Sequence, residues 1–94
     1  MLPHEALFDA FFRRRQIVGV NGSSNVSWIQ YDQDRNVLQV GYLNLSIYVY
    51  GDVNPQEAAS MLFAGSKGTW IWDNIRVRGK GNAHLTRKPF ARIA

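Results

Sequence analysis

Two tyrosines near the middle of the chain are the first residues whose spacing suits a chemical purpose. Tyr48 and Tyr50 stand two residues apart in the stretch SIYVYGD, which has the composition of a β-strand. Side chains two apart along a strand project from the same face of a sheet. Such a pair can stack on nucleobases, or it can form half of a hydrophobic core beneath a helix. We favour the core, because one face of a small sheet must be buried.

The C-terminal third carries a second candidate site, made of cations and aromatic rings. Residues 61–94 hold seven Lys or Arg and one Asp, a balance of +6, whereas residues 1–60 hold four Arg and six Asp or Glu, a balance of −2. Cations neutralise phosphates, and aromatic side chains between them stack on bases. A basic tail that only aids solubility, with two core tryptophans, is the alternative. The set comprises Lys67, Arg76, Arg78, Lys80, Arg87, Lys88 and Arg92, interleaved with Trp70, Trp72 and Phe90.

The sequence shows no arrangement typical of catalysis or metal binding. The chain has no cysteine, and its two histidines, His4 and His84, stand apart from any cluster of carboxylates. It has no evident Ser-His-acid set or pair of carboxylates. The stretch GSKG lacks the spacing of a phosphate-binding P-loop. We therefore expect a non-enzymatic protein with no catalytic residue, no metal and no cofactor.

Length and composition predict one globular domain. The 94 residues are 46% hydrophobic and 13% aromatic, which suffices for a single core. No apolar run approaches the length of a membrane span, and the N-terminal stretch has acids where a signal peptide has positive charge. These features predict a soluble intracellular protein that does not contact a membrane.

Hydrophobic periodicity predicts the elements that would position the candidate residues. The segment PHEALFDAFFRRR has apolar residues at helical spacing, acids early and arginines late, which favours an amphipathic helix from about Pro3 to Arg14. A short strand, QIVGV, and a turn, NGSS, follow. The stretches VSWIQYD, VLQVGY and SIYVYG have a period of two and predict an antiparallel meander. Because both faces of this sheet are apolar, we expect the N-terminal helix to cover the second face.

The segment DVNPQEAASMLFAG predicts a second helix with a clear start. Asn54 is the expected N-cap, Pro55 occupies the first helical position, and Glu57 completes a capping box. The expected buried stripe is Ala58, Met61 and Leu62. The next stretch, SKGTWIWDNIR, fits either a strand or one or two helical turns. From Val77 onward the chain has no periodicity, which predicts an extended arm.

Several motifs run through these elements in a fixed order. A Ser, an aliphatic residue and a Tyr-Asp pair come first, then Leu-x-Val-x-aromatic, Tyr-x-Tyr, a Pro-containing helix start, Ser-x-Gly and Ile-Arg. The motif positions are Ser24, Val26, Ile29, Tyr31, Asp32, Leu38, Val40, Tyr42, Tyr48, Tyr50, Val53, Pro55, Ala64, Ser66, Gly68, Ile75 and Arg76. In this register, without a gap, residues 24–76 resemble a KTSC domain. That small module is named for its place at the C-terminus of some lysyl-tRNA synthetases, and it also occurs in free-standing bacterial and phage proteins.

The resemblance implies an α+β fold in which a small antiparallel β-meander of three or four strands packs with an amphipathic helix. An N-terminal helix and short strand (1–23) and a basic C-terminal arm (77–94) would flank the KTSC-like domain (24–76). The resemblance also favours a short helix capped by Ser66 over a strand. Three residues depart from the family pattern. Asn54 replaces the first proline of the helix start, a harmless exchange because asparagine is the better cap. Leu45 replaces a glycine, so a turn of different shape is expected, and Trp72 replaces a polar residue and adds apolar surface.

Two functions remain open. The first is a non-enzymatic module that binds nucleic acid, with RNA favoured by domain context in the family. The second is a protein-interaction or assembly subunit, such as a small phage structural or host-directed protein, whose tails dock on neighbouring subunits. The expected location is the cytoplasm of a bacterium, with a phage-encoded, virion-associated protein as the alternative. The predicted nucleic-acid-binding residues are Lys67, Arg76, Arg78, Lys80, Arg87, Lys88, Tyr48 and Tyr50.

Overall fold

The computed structural model describes residues 3–76 and 88–94, and it confirms the α+β fold. Five antiparallel strands lie in chain order in one sheet. The strands are β1 (Val18–Gly19), β2 (Val26–Asp32), β3 (Val37–Tyr42), β4 (Ile47–Tyr50) and β5 (Phe90–Arg92). The helices are α1 (Pro3–Phe8), α2 (Pro55–Leu62) and α3 (Lys67–Ile71), and π-helical turns at Asp9–Arg13 and Trp72–Arg76 continue α1 and α3.

The sheet has more strands than the three or four predicted, because the C-terminal segment contributes one. Strand β5 pairs with β4, so that Phe90 lies opposite Tyr50 and Arg92 lies opposite Tyr48. The sequence predicts an extended arm here, since three residues are too few to establish a period of two. The strand forms through backbone hydrogen bonds to a distant part of the chain, which local patterning does not reveal.

All the helical segments pack on one face of the sheet, which we call the inner face. Phe11 stacks on Tyr31 of β2 with ring centroids 5.7 Å apart, and Phe12 meets the same ring edge-on at 5.6 Å. The Tyr31 hydroxyl donates a hydrogen bond of 2.6 Å to the carbonyl of Val53, just before α2. Burial raises the pKa of Tyr31 to about 12, so the hydroxyl stays protonated. The N-terminal and central helices therefore share one core.

The expectation that the N-terminal helix covers the second face is wrong. On that face β2 presents Gln30 and Asp32, which offer the phenylalanines no apolar surface. Elsewhere on it, Trp28 lies across Gly41, where an added Cβ would come within 2.0 Å of the indole nitrogen. Among the described residues no helix covers this face, and Val49 at its centre is half-buried.

The two later helices begin as the sequence predicts. Asn54 accepts a hydrogen bond of 2.8 Å from the backbone N–H of Glu57, and the Glu57 carboxylate accepts one of 3.1 Å in return. The expected stripe of Ala58, Met61 and Leu62 is buried. Ser66 caps α3 by accepting a hydrogen bond from Thr69, which confirms the short helix in place of a strand. In residues 3–76 and 88–94 no helix has the length and apolar character needed to cross a membrane.

The turn between β3 and β4 has an unusual residue at its tip. Leu45 has a φ of +72°, in the left-handed region that favours glycine, and its side chain is 85% exposed. A hydrogen bond of 3.0 Å from the Leu45 N–H to the carbonyl of Tyr42 closes the turn. Leucine therefore adopts here a backbone conformation that glycine takes more readily.

Candidate nucleic-acid interface

Tyr48 and Tyr50 both face the helices, but Tyr50 is buried whereas Tyr48 is partly exposed. Tyr50 is 2% exposed, and its hydroxyl lies 2.7 Å from the hydroxyl of Tyr42 in a buried hydrogen bond. Burial raises the pKa of Tyr50, and the hydrogen bond with Tyr42 raises it further. Tyr48 is half-buried, with its ring nearly parallel to that of Tyr50 at 6.1 Å. Tyr50 is therefore a core residue, whereas Tyr48 packs against the edge of the core and is partly exposed.

Tyr48 is part of a line of side chains that we call the arginine–aromatic row, formed by Trp72, Arg76, Tyr42, Tyr48 and Phe90. The Arg76 guanidinium carbon lies 5.1 Å from the ring centroid of Trp72 and 5.6 Å from that of Tyr42. The Tyr42 and Tyr48 centroids are 5.7 Å apart, and those of Tyr48 and Phe90 are 6.0 Å apart. At the two ends, Trp72 is 49% exposed and Phe90 is 53% exposed. The two aromatic side chains at the ends of the row are thus exposed to solvent, and the row between them contains the cation of Arg76.

Local structure explains why these side chains meet. Trp72 and Arg76 lie four residues apart on the π-helical turn after α3, so they share one side of it. The register of β5 places Arg92 directly opposite Tyr48, on the inner side of the sheet. The Arg92 Nε donates a hydrogen bond of 2.9 Å to the main-chain oxygen of Ala94. Arg92 is therefore a second cation beside the row.

Lys88, one of the predicted binding residues, is an anchor for the C-terminal segment. Its Nζ lies 3.0 Å from the Glu57 carboxylate and also donates to the carbonyl of Asp52, and its side chain is only 12% exposed. Because Glu57 also caps α2, Lys88 ties the start of β5 to the beginning of that helix. A phosphate would have to displace this ion pair, so the position favours a structural role.

Apart from Arg76 and Lys88, one predicted cation lies within the described residues and three lie outside them. Lys67 is the first residue of α3 and is half-buried, and within residues 3–76 and 88–94 it forms no ion pair. Arg78, Lys80 and Arg87 lie outside the described residues. The sequence places Arg92 in the basic set but not among the predicted binding residues. The structure adds Arg92 to the candidate site, because it lies opposite Tyr48. Its alternation with Phe90 would have indicated it, had the strand been recognised.

The arginines of the first 60 residues have a different environment. Each lies within 4.0 Å of an aspartate carboxylate. The pairs are Arg13 and Arg14 with Asp9, Arg15 with Asp32 and Asp34, and Arg35 with Asp32. Most of this part of the chain's positive charge is therefore compensated locally.

A polar cavity of about 460 Å³ adjoins the row at Arg76 and Tyr48. Its lining is Ser24, Asn25, Tyr42, Leu43, Asn44, Ser46, Tyr48 and Arg76. The lining contains no carboxylate. In the part of the chain that the structure describes, no group of three or more His, Cys, Asp or Glu could hold a metal ion.

Gly68 holds the loop that carries one wall of this cavity. A Cβ at Gly68 would come within 2.4 Å of the Asn25 side-chain oxygen and 2.9 Å of the Ser23 hydroxyl. The absence of a side chain at Gly68 therefore lets the loop before β2 pack directly against α3. The Ser-x-Gly motif thus has a physical reason, since Ser66 starts the helix and Gly68 receives the loop.

Comparison with known proteins places the chain among related sequences and structures. Residues 22–78 match the family model of the KTSC domain. The crystal structure of the KTSC domain protein YPO2434 from Yersinia pestis is similar, with 25% sequence identity and a TM-score of 0.66. The similarity covers 84% of this chain and 97% of that one. No curated protein matches the chain.

Proposed function

The chain belongs to the KTSC domain family, and we propose that it is a non-enzymatic module of the cytoplasm that binds single-stranded nucleic acid, with RNA favoured. The observation that carries this proposal is the arginine–aromatic row. Exposed rings stack on bases of any sequence, and arginines neutralise the phosphates between them. The row combines both features on one surface.

The exposed rings favour a single strand over a duplex. Trp72 and Phe90 each expose about half of their surface, and a ring of this kind stacks only on a base that has left its own stack. Tyr48 lies between them and is flanked by Arg92. RNA is favoured over DNA because members of the family stand at the C-terminus of lysyl-tRNA synthetases. This preference is the part of the proposal that rests on family context.

Fluorescence anisotropy with labelled single-stranded RNA, the DNA of the same sequence and an RNA duplex tests the proposal. We expect the tightest binding to the single-stranded RNA. Phe90→Ala should weaken it roughly tenfold, because stacking on one base contributes about 1–3 kcal/mol. Phe63→Ala is a matched control, since Phe63 is 52% exposed and lies outside the row, whereas Phe90 is 53% exposed within it. Equal losses in the two variants, or no binding by the native protein at low salt, would contradict the proposal.

One observation favours the second candidate function, an interaction or assembly subunit of bacterial or phage origin. Leu45 combines an 85% exposed apolar side chain with a left-handed backbone. The left-handed backbone costs free energy in an isolated domain, and burial of the exposed Leu45 side chain in a partner would offset that cost. A protein partner that covers the turn between β3 and β4 is therefore the form that this candidate takes.

Leu45→Gly removes both the backbone strain and the exposed side chain, and it therefore tests stability and association in one variant. We expect the free energy of unfolding to rise by about 1 kcal/mol, because glycine adopts the left-handed conformation without strain. Urea unfolding measures this change, and Leu43→Gly, at a neighbouring exposed leucine without positive φ, is the control and should not be stabilised. If the second candidate is correct, sedimentation of native protein shows association between copies or with a copurified partner, and Leu45→Gly removes it. Association that persists in Leu45→Gly would count against this surface.

A further inference from the structure

The cavity beside the row is lined by hydrogen-bond donors and carries positive charge. Arg76 forms one wall, and Asn25 and Asn44 lie on two loops at the same end of the β2–β3 pair, one before β2 and one after β3. Both asparagines are exposed, so their amide groups are accessible from solvent. The orientation of the two amides decides what the cavity can recognise, because an amide offers an acceptor on one side and a donor on the other.

The orientation of Asn44 follows from its contact with Ser46. The backbone N–H of Ser46 donates to the Asn44 Oδ1 at 3.0 Å, and the Ser46 hydroxyl lies 2.6 Å from the same atom. A backbone N–H can only donate, so the atom that it meets must be the amide oxygen. Within residues 3–76 and 88–94 the Nδ2 group of Asn44 takes part in no hydrogen bond. Asn44 therefore presents its NH2 group as a donor.

The same reasoning orients Asn25. The Ser23 hydroxyl oxygen accepts hydrogen bonds from the backbone N–H groups of Asn25 and Val26, at 3.3 and 3.0 Å. Its own proton is then left to donate to the Asn25 Oδ1, 3.1 Å away. That oxygen also faces Gly68 on α3, where an added Cβ would lie 2.4 Å from it. The Asn25 oxygen is committed to the protein, and its NH2 group is the part left to bind something else.

Arg76 supplies the charge. Its guanidinium lies against the rings of Trp72 and Tyr42, and this places a positive charge at the wall of the cavity. A donor-rich, positively charged cavity without a carboxylate is complementary to an anion with several acceptor oxygens. We infer that this cavity binds a phosphate group, held by Arg76 and by the side-chain NH2 groups of Asn25 and Asn44.

This inference rests on the proposed function and deepens it. The phosphate would belong to the strand whose bases stack on Tyr48 and Phe90, since Tyr48 lines both the cavity and the row. Either a terminal phosphate or an internal phosphodiester offers the required oxygens. The two sources differ in a simple way, because only the first is lost when the strand lacks a 5′ or 3′ phosphate.

Asn44→Asp is the decisive substitution. A carboxylate still accepts both hydrogen bonds from Ser46, so the turn is retained, but it replaces the NH2 donor with a negative oxygen. We expect RNA affinity to fall at least tenfold, and Asn25→Asp to act in the same direction. Asn36→Asp is the control, because it introduces the same charge at an exposed position outside the cavity and should change affinity less than twofold.

Side-chain amide signals of Asn25 and Asn44 in ¹⁵N NMR spectra provide a second, direct measurement. Titration with inorganic phosphate, and with a short RNA with and without terminal phosphates, should shift both signals in the native protein. A preference for the phosphorylated RNA assigns the terminal group, and equal shifts assign the phosphodiester. Shifts with inorganic phosphate but no RNA binding would overturn the proposed function and support the cavity as a phosphate site. RNA binding without these shifts, and with Asn44→Asp equal to Asn36→Asp, would overturn the phosphate inference alone.

Discussion

The arginines in the two parts of the chain meet different partners. In the first 60 residues they face carboxylates, as where the Arg14 Nε lies 2.9 Å from Asp9. Beyond residue 60, Arg76 lies against the rings of Trp72 and Tyr42, and Arg92 lies opposite Tyr48. An exposed ion pair offsets charge and contributes about 0–1 kcal/mol of stability, whereas contact with an aromatic ring leaves the net charge of a cation unchanged. In the function that we propose, the partner of a cation, more than net charge, locates the binding surface.

Lys88 shows that position in the sequence does not by itself decide which cations pair with carboxylates. It belongs to the basic C-terminal third, yet it is paired with Glu57 like the arginines at the other end of the chain. Lys88 contributes to the proposed site indirectly, because it holds the start of the strand that carries Phe90 and Arg92. Substitution of Lys88 therefore separates anchoring from direct binding.

Lys88→Met should produce the largest loss of stability. We expect the free energy of unfolding to fall by about 1–3 kcal/mol, because Glu57 is left without its cation beside the helix start. Urea unfolding measures the change, and Arg35→Met, which removes an exposed pair at 4.0 Å, should cost less than about 0.5 kcal/mol. Equal and small losses in both variants would show that Lys88 is not an anchor.

Arg92→Ala tests the same comparison through RNA affinity, where we expect a smaller effect. We expect its affinity for single-stranded RNA to fall by about 1 kcal/mol, roughly fivefold, with little change in stability. Arg13→Ala is the matched control, since Arg13 lies 5.9 Å from the Phe8 ring centroid but also 3.6 Å from the Asp9 carboxylate. If Arg13→Ala weakens binding as much as Arg92→Ala, a nearby carboxylate does not remove an arginine from the binding surface.

The parts of the fold that local sequence signals determine were predictable. The capping box of Asn54 and Glu57 and the cap at Ser66 each depend on residues three apart, and the strands of the meander are long enough to show a period of two. The core role of Tyr50 follows from the need to bury one face of the sheet. These features need no knowledge of distant contacts.

The candidate site depends instead on contacts between distant parts of the chain. Phe90 meets Tyr50 across 40 residues, and Lys88 meets Glu57 across 31. Neither pairing leaves a periodic pattern in the sequence. The basic set was visible, but only the register of β5 and the turn after α3 distinguish Arg92 and Arg76 from Lys88. The N-terminal helix covers the inner face because Phe11 packs on Tyr31. The alternation of β2 places Tyr31 on one face of the sheet, but it does not show that Phe11 contacts that residue.

The salt dependence of RNA binding tests the central claim most directly. Anisotropy titrations over a salt series give the slope of log affinity against log salt, to which each phosphate contact with a single strand contributes about 0.7. The account predicts that Arg76→Gln combined with Arg92→Gln reduces this slope by about 1.4, while Arg14→Gln combined with Arg35→Gln leaves it unchanged. Urea unfolding of both double variants establishes that they remain folded. An equal reduction in the two, or a larger one in the carboxylate-paired variant, would contradict the account.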